Sequence, residues 1–158
     1  IPDEVILIPN YITVSRLKWI DKYQALIVPW ICNVVSIFFL RQFFKSIPDD
    51  LYDAAVLDGA GHLRFLWSVA LPLSVPALVS TSLFNFLGSW NAVQWPLYVT
   101  NSPDMRPLMV GMKYFSDEGG MQVQLHNAAA TFTTLPVIVL FLFVQRRFIE
   151  GIARTGLK

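Results

Sequence analysis

Few side chains in this sequence have the type and spacing that catalysis or metal binding requires. His62 and His126 lie far apart in the chain, and neither belongs to the ligand spacing of a zinc site. Gly59-Ala60-Gly61 is too short to form a Gly-x4-Gly-Lys-Ser/Thr phosphate-binding loop, and no nucleophile with a partner base can be recognised. The sequence therefore predicts neither an enzyme nor a metal site.

The loop segment 45–72 carries clear signals for the start and the end of a helix. Ser46 is a candidate N-cap, and Pro48 with the two aspartates after it is typical of a first helical turn. Gly59 and Gly61 are expected to end or bend this helix, and a second helical pattern follows. Alanines leave one side of the first helix with little bulk, which favours close approach of a partner. An ordinary capped connector between two membrane helices is the alternative.

Three apolar stretches, 23–40, 65–88 and 125–144, contain no Asp, Glu, Lys or Arg. Hydrophobic residues make up 54% of the chain and charged residues 15%, against about 25% charged residues in soluble domains. A bilayer core about 30 Å thick needs roughly 20 helical residues, a length that each stretch approaches or exceeds. The sequence therefore predicts an all-α membrane protein in which each stretch is one span.

Some residues of these stretches would be unusual in a soluble helix. Their prolines would be costly there, whereas in a membrane neighbouring helices or hydroxyl groups can satisfy the freed carbonyl groups. The middle stretch also has small polar side chains, which suit either close helix packing or a wetted pathway. These are Ser74, Ser80, Thr81, Ser82 and Asn85.

The distribution of basic residues predicts the side of the membrane on which each loop lies. Residues 41–64 and 145–158 hold seven of the 12 Lys and Arg residues, so the positive-inside rule places them in the cytoplasm. Residues 9–22 and 89–124 lie on the opposite side. The net charge of +1 argues against nucleic-acid binding, and Cys32, the single cysteine, excludes a disulfide within the chain.

The loop segment 45–72 resembles the characteristic cytoplasmic loop of binding-protein-dependent ABC importer permeases. That loop has the pattern Glu-Ala-Ala, Gly, Ile and Leu-Pro, and this chain has corresponding residues at the same spacing. Asp replaces Glu and Val replaces Ile, and the shorter side chain of Asp53 could alter a salt bridge at an interface. The corresponding residues are Asp53, Ala54, Ala55, Gly59, Val69, Leu71 and Pro72.

The resemblance covers nearly the whole chain and favours the carbohydrate-import branch, which includes the G subunit of the maltose permease. Residues 8–29, 89–97 and 145–158 are similar to stretches of that branch. The resemblance implies that residues 1–158 form a single permease domain, the C-terminal half of a six-span subunit, with three transmembrane helices and a cytoplasmic coupling-helix loop. The native N-terminus is expected to be missing, and residues 1–8 look like the end of an earlier helix.

The same resemblance implies a set of partners. A second permease subunit would complete the pathway, ATP-binding cassette subunits would hydrolyse ATP, and an extracytoplasmic solute-binding protein would deliver the solute. The chain itself would bind no cofactor, metal or nucleic acid, and it would cross the lipid bilayer of a prokaryotic plasma (inner) membrane several times. A same-fold permease for a polyamine, phosphate or amino acid is the alternative, and a non-transporting membrane scaffold or channel is a further one.

The resemblance also implies site residues. The helix from Asp53 to Gly59 would dock in a cleft of the ATP-binding subunit, with Leu57 as an apolar anchor, and would convert closure of that subunit into movement of the spans. The tail would contact the same subunit, although its arginines fit a charged membrane stop equally well. The coupling set is Asp53, Ala54, Ala55, Leu57, Gly59, Leu71 and Pro72, and the tail set is Arg146, Arg147 and Gly156.

Asn85, Trp90 and Asn91 are candidate solute-path residues, because amide groups can hydrogen-bond to a sugar and an indole ring can stack on it. Trp and Tyr are also typical anchors at membrane interfaces, and this is the favoured interpretation of Trp90, Trp95 and Tyr98. In maltose-type systems the partner permease subunit makes most of the sugar contacts.

Overall fold

The computed structural model describes residues 3–117 and 123–155, with side chains at 5–113 and 123–145. Every regular element within these ranges is helical, which confirms the predicted all-α fold. In chain order the elements are α1 (Asp3–Arg16), α2 (Tyr23–Ile27), the 3-10 turn Val28–Trp30, α3 (Val34–Lys45), α4 (Asp49–Leu57), α5 (His62–Phe65), the π-helical turn Leu66–Ala70, α6 (Leu71–Leu73), α7 (Val75–Trp90), α8 (Gln94–Val99), the 3-10 turn Pro103–Met105, α9 (Leu108–Asp117) and α10 (Val123–Thr155).

One compact unit is drawn from residues 1–32 and 87–139, and its core joins α1, α2 and α8. Helices as short as α2 and α8 would not persist in isolation, so this packing is what stabilises them. The buried members of the core are Val14, Ala25, Trp95 and Val99.

The chain reverses after α1 through a residue with left-handed backbone, Lys18, whose φ is 57°. The N–H of Trp19 bonds the carbonyl oxygen of Val14, and the N–H of Lys18 bonds that of Ser15, each at 3.0 Å. This is the Schellman pattern, in which glycine is the usual left-handed residue. A search of the sequence for glycine or proline therefore does not locate this helix end.

The other compact unit is drawn from residues 33–86 and 140–158, and two helix ends within it are fixed by side chains. At the start of α3, the side-chain oxygen of Asn33 accepts a hydrogen bond of 2.9 Å from the N–H of Ser36. Ser36 also accepts one of 2.8 Å from the amide of Asn85, so α3 and α7 are joined by a polar contact.

The end of α3 corrects one expectation. Ser46 was expected to cap the helix that follows it, but it lies at the C-terminal end of α3, where its hydroxyl donates a 2.7 Å hydrogen bond to the carbonyl oxygen of Phe43. Pro48 stands at the start of α4, with no side-chain cap. A hydroxyl group between two helices can bond either to the end of the first helix or to the start of the second, and here it bonds to a carbonyl group of α3.

The stretch 65–88, predicted as one span, is not one continuous helix. α5, the π-helical turn and α6 follow one another as a helical rod, His62–Leu73, which breaks at Ser74 and meets α7 at 73°. Pro76 explains the break. It has no N–H to donate to the carbonyl group of Pro72, four residues earlier, and in a continuous helix its ring would clash with that group.

The other two stretches differ from each other. The stretch 23–40 is divided into α2, a 3-10 turn and the first part of α3, whereas α10 continues through Pro136. By length and composition Val123–Gln145 can cross a membrane, and two further spans are counted only if each bent helix pair crosses as one. For the described residues, three crossings therefore stay a prediction.

Candidate coupling site

α4 is a helix of nine residues whose ends are fixed by local chemistry. Its first turn carries two aspartates, which interact favourably with the positive end of the helix dipole. After its last turn Gly59 has a φ of 75°, and its N–H bonds the carbonyl oxygen of Val56 at 2.9 Å. The N–H of Ala60 bonds the carbonyl oxygen of Ala55 at 2.8 Å. This Schellman closure requires left-handed backbone, which glycine adopts without steric cost.

The two glycines of this turn have different roles. A Cβ atom at Gly59 would meet no other atom within 4 Å, so a substitution there is strained by its backbone conformation and not by a clash within the chain. Gly61 stands at the N-cap of α5 with a φ of −76°, which any residue adopts. Gly59 ends α4, whereas Gly61 begins α5.

The coupling residues predicted from the sequence occupy two places. Asp53 and Ala54 are exposed on α4, and Leu57 is 89% exposed, whereas Ala55 is only 9% exposed. The Leu-Pro pair of the predicted set lies in α6, at the far end of the helical rod from His62. α4 therefore presents an apolar tip and a carboxylate outward.

An aromatic cluster, missing from the prediction, joins α4 to α5. The Tyr52 hydroxyl lies 2.7 Å from Nδ1 of His62, and the two rings stack with centroids 5.7 Å apart. The ring of Phe65 meets that of Tyr52 edge-on, with centroids 5.1 Å apart. His62 and Phe65 are three residues apart and share one face of the helix. In the sequence, the three-residue spacing of His62 and Phe65, with Tyr52 on the other side of the glycine turn, is the pattern that could have indicated this cluster.

A cavity of about 360 Å³ lies beside this cluster. The end of α3 and the segment before α4 form one part of its lining with Phe44, Ile47 and Pro48, and Tyr52, His62 and Phe65 form another. The cavity therefore lies between the end of α3, the start of α4 and α5, beside the candidate coupling residues.

The three candidate solute-path residues do not line this cavity. The amide of Asn85 donates to Ser36, and the amide of Asn91 donates a 2.9 Å hydrogen bond to the carbonyl oxygen of Leu87. Trp90 is the half-buried last residue of α7. The partners of the two amides are groups of the chain itself, and for Asn85 this favours the helix-packing interpretation.

The interpretation of Trp95 as an interface anchor is wrong. Its indole is 5% exposed, its Nε1 donates a 2.9 Å hydrogen bond to the carbonyl oxygen of Ala25, and Trp30 packs edge-on against it at 6.0 Å. An anchor has to expose its ring to the membrane interface. Tyr98, 47% exposed, remains compatible with that role.

Asp21 fixes the loop that follows α8. Its N–H donates to the carbonyl oxygen of Val99 at 2.8 Å, and its carboxylate accepts from the N–H groups of Asn101 at 2.8 Å and Ser102 at 3.0 Å. These backbone hydrogen bonds, that from Ser102 first, and the positive charge of Arg106 lower the pKa of the Asp21 carboxyl from its ordinary value of 3.8.

The predicted contact of the C-terminal tail with an ATP-binding subunit involves groups that the structure does not describe. The side chains of Arg146 and Arg147, and all of Gly156, lie outside the described part of the chain, so this contact stays a prediction. Where the structure does describe the chain, no three His, Cys, Asp or Glu residues are grouped as metal ligands would be.

Comparison with known proteins decides the family. Residues 2–153 match the family described as binding-protein-dependent transport system inner membrane component. The chain belongs to this family. The arabinooligosaccharides transport system permease protein AraQ of Halalkalibacterium halodurans is 34% identical over 158 residues, which are 100% of this chain and 57% of the relative. The sn-glycerol-3-phosphate transport system permease protein UgpE of Yersinia pestis bv. Antiqua is 33% identical over 154 residues, 96% of this chain and 55% of the relative.

A solved structure agrees with this assignment. The bacterial ABC transporter involved in the import of the acidic polysaccharide alginate matches this permease chain with a TM-score of 0.78 and 26% identity. The match covers 89% of this chain and 55% of that one. The chain thus spans about half the length of the relatives it matches, at 55–57%. The resemblance drawn from the cytoplasmic loop pattern is confirmed at the level of family and fold.

Proposed function

We propose that this permease chain forms part of the transmembrane subunit of an ATP-driven importer for a sugar or a related solute. The importer lies in the inner membrane of a prokaryote and is completed by a second permease subunit, ATP-binding cassette subunits and an extracytoplasmic solute-binding protein. The ATP-binding subunits hydrolyse ATP, and this chain binds no cofactor. α4 docks against one of them, and the apolar helical stretches cross the membrane.

The exposure of α4 is the observation that carries the proposal. Leu57 is 89% exposed, although burying a leucine side chain stabilises by about 1.5–3 kcal/mol. The carboxylate of Asp53 is exposed on the same short helix, whose end is closed by Gly59. An apolar tip with a nearby charge, on a helix with fixed ends, suits a cleft on a partner protein.

Exposed aromatic side chains support the membrane location. α3 and α10 expose large rings that water would solvate poorly, so lipid or a second subunit is expected to cover them. Among them are Phe38 at 56%, Phe39 at 57%, Phe132 at 69% and Phe143 at 79% exposure.

The solute class rests on the relatives. Those named for arabinooligosaccharides and for sn-glycerol 3-phosphate are 34% and 33% identical to this chain, so identity does not choose between an oligosaccharide and a phosphorylated polyol. Uptake of labelled arabinotriose and labelled sn-glycerol 3-phosphate, by cells expressing the full-length subunit with the partners of its operon, tests both. ATP-dependent uptake of either is expected. Uptake that persists without ATP would indicate a channel and contradict the proposal.

Docking of α4 is tested by crosslinking in the full-length subunit, with Cys32 and any other native cysteine replaced. Leu57→Cys carries the reactive thiol, and Leu17→Cys, at a leucine 50% exposed on the predicted opposite side, is the matched control. We expect a nucleotide-sensitive crosslink to the ATP-binding subunit from the first and none from the second. Equal crosslinking of both, or of neither in assembled complexes, would contradict the docking of α4.

A further inference from the structure

The contact between Tyr52 and His62 lies outside the coupling pattern, yet it spans the junction that movement of α4 has to cross. The backbone between α4 and α5 is only residues 58–61, and it includes two glycines. Glycine restricts backbone rotation least, so this connection alone would let the two helices change their angle. The Schellman closure fixes the end of α4, and side-chain contacts across the connection add a restraint on the angle between α4 and α5.

The aromatic cluster has the geometry to do so. The 2.7 Å hydrogen bond between the Tyr52 hydroxyl and Nδ1 of His62 fixes a direction between the helices. The stacked His62 ring at 5.7 Å and the perpendicular Phe65 ring at 5.1 Å fix a distance on two sides of the tyrosine. Offset stacking and edge-on contacts are both favoured arrangements of aromatic rings.

His62 is also the first residue of the helical rod His62–Leu73. This rod is about 18 Å long at 1.5 Å per residue, and its helical hydrogen bonds make it stiff compared with the glycine turn. A displacement of His62 therefore moves the rod up to its break at Ser74, where α7 follows.

We propose that Tyr52 and His62 are positioning residues that transmit the movement of α4 to the helical rod. This inference rests on the proposed function, since it assumes that α4 moves with a docked ATP-binding subunit. When the pair is broken, α4 still docks, but the rod no longer follows it.

The experiment places one reporter on each side of the pair. The cysteine-free full-length subunit is assembled with its partners in lipid nanodiscs and exposed to a non-hydrolysable ATP analogue. Leu57→Cys reports docking of α4 by crosslinking, and in a second sample a spin label on Ser68→Cys, exposed on the rod, reports rod movement. In the otherwise unsubstituted protein we expect the analogue to change both signals.

Three substitutions then test the pair. Tyr52→Phe removes the hydroxyl and keeps the ring contacts, and His62→Ala removes both the hydrogen bond and the stacked imidazole ring. Each should leave the Leu57 crosslinking response intact and reduce the label response about three- to tenfold, the range to which one hydrogen bond corresponds. His62→Asn places an amide near the Nδ1 position and should restore the response. Tyr23→Phe, at a tyrosine 66% exposed in α2, is the matched control and should change neither signal.

Two results would overturn the inference while the proposed function stands. In the first, both signals remain intact in Tyr52→Phe and His62→Ala. In the second, both signals fall together, which is the result of a merely structural role. If His62→Ala impairs assembly, Tyr52→Phe decides, because it keeps the ring contacts. Absence of any nucleotide response in the unsubstituted protein would instead overturn the proposed function, and the inference with it.

Discussion

The indole Nε1 of Trp95 donates a hydrogen bond to the carbonyl oxygen of Ala25 across 70 positions of sequence. Both residues are buried, and Val14 of α1 belongs to the same core. One side chain thus ties α8 to α2 by a polar bond as well as by apolar packing. Buried polar groups that lose their partner are costly, so this bond is a sensitive point of the unit.

Trp95→Phe is expected to lower the free energy of unfolding by about 1–3 kcal/mol, because it leaves the buried carbonyl group of Ala25 without this donor. Denaturant titration of the purified full-length subunit in detergent measures the change. Trp67→Phe, at a tryptophan 70% exposed in the helical rod, is the matched control and should have little effect. An equal loss in both variants would contradict a specific role of Trp95.

The loop after α8 is expected to depend on ionised Asp21. Because the pKa of this carboxyl is lowered in the folded state, the hydrogen bonds to it contribute stability above the ordinary carboxyl pKa of 3.8. That contribution is lost only as the pH falls through the lowered, folded-state value. Amide exchange at Asn101 and Ser102, corrected for intrinsic rates, should therefore show constant protection from neutral pH down to about pH 4.

Asp21 has left-handed backbone, with a φ of 60°. Substitutions at this position can therefore act through the lost charge or through the backbone, and two variants separate these effects. Asp21→Ala should remove protection of the Asn101 and Ser102 amides at every pH. Asp21→Asn, which tolerates left-handed backbone and keeps one acceptor oxygen, should retain part of it. Loss of protection in the unsubstituted protein between pH 7 and pH 5 would contradict a lowered pKa.

Gly59→Ala is expected to cost about 1–2 kcal/mol of stability in the turn, because a Cβ atom disfavours left-handed backbone. The φ of 75° at this position, and the open space around it, make this a test of backbone conformation alone. Gly61→Ser, at an N-cap position where φ is −76° and serine is a preferred residue, is the control and should not destabilise the turn. Denaturant titration measures the stability of both variants, and an equal loss in the two would contradict a specific role of the left-handed backbone at Gly59. Uptake per assembled complex then shows whether this closure of α4 is needed for transport.

Asn85 and Ser36 are expected to act as a packing pair. A double-mutant cycle of Asn85→Ala and Ser36→Ala, read by unfolding in SDS, should give a coupling energy of about 0.6 kcal/mol, with about 1.7 as the upper range for such pairs. Both single variants should leave the preference between arabinotriose and sn-glycerol 3-phosphate unchanged. A change of preference in Asn85→Ala alone would restore the solute-path interpretation.

Local patterns predicted the features that local chemistry decides. The acidic first turn and Gly59 are enough to mark α4, because dipole interaction and left-handed backbone depend on neighbouring residues only. The contacts of Asp21 with Asn101 and of Trp95 with Ala25 join residues 80 and 70 positions apart, and residue type alone does not specify such partners. They depend on how short helices pack.

The apolar stretches show a second limit of prediction from sequence, the effect of a proline on a helix. Composition predicts that 65–88 is suited to a membrane, but it does not say whether a proline is accommodated or breaks the helix. Pro136 lies inside an unbroken α10, whereas Pro76, four residues after Pro72, coincides with a break. In membrane helices a proline is accommodated where neighbouring groups satisfy the carbonyl that it leaves free, and composition does not show where this happens.

The π-helical turn Leu66–Ala70 gives the chain a place where its length can vary. Such a turn closes its hydrogen bonds over five residues instead of four, so it holds one residue more than an α-helix would need there. Loss of one residue at this turn would convert it to ordinary α-helix and leave the residues after it facing as before. The same loss within α4 would rotate all later residues of that helix by about 100°. Engineered deletion of one residue between 66 and 70 is therefore expected to perturb the helices that follow less than deletion of one residue within α4.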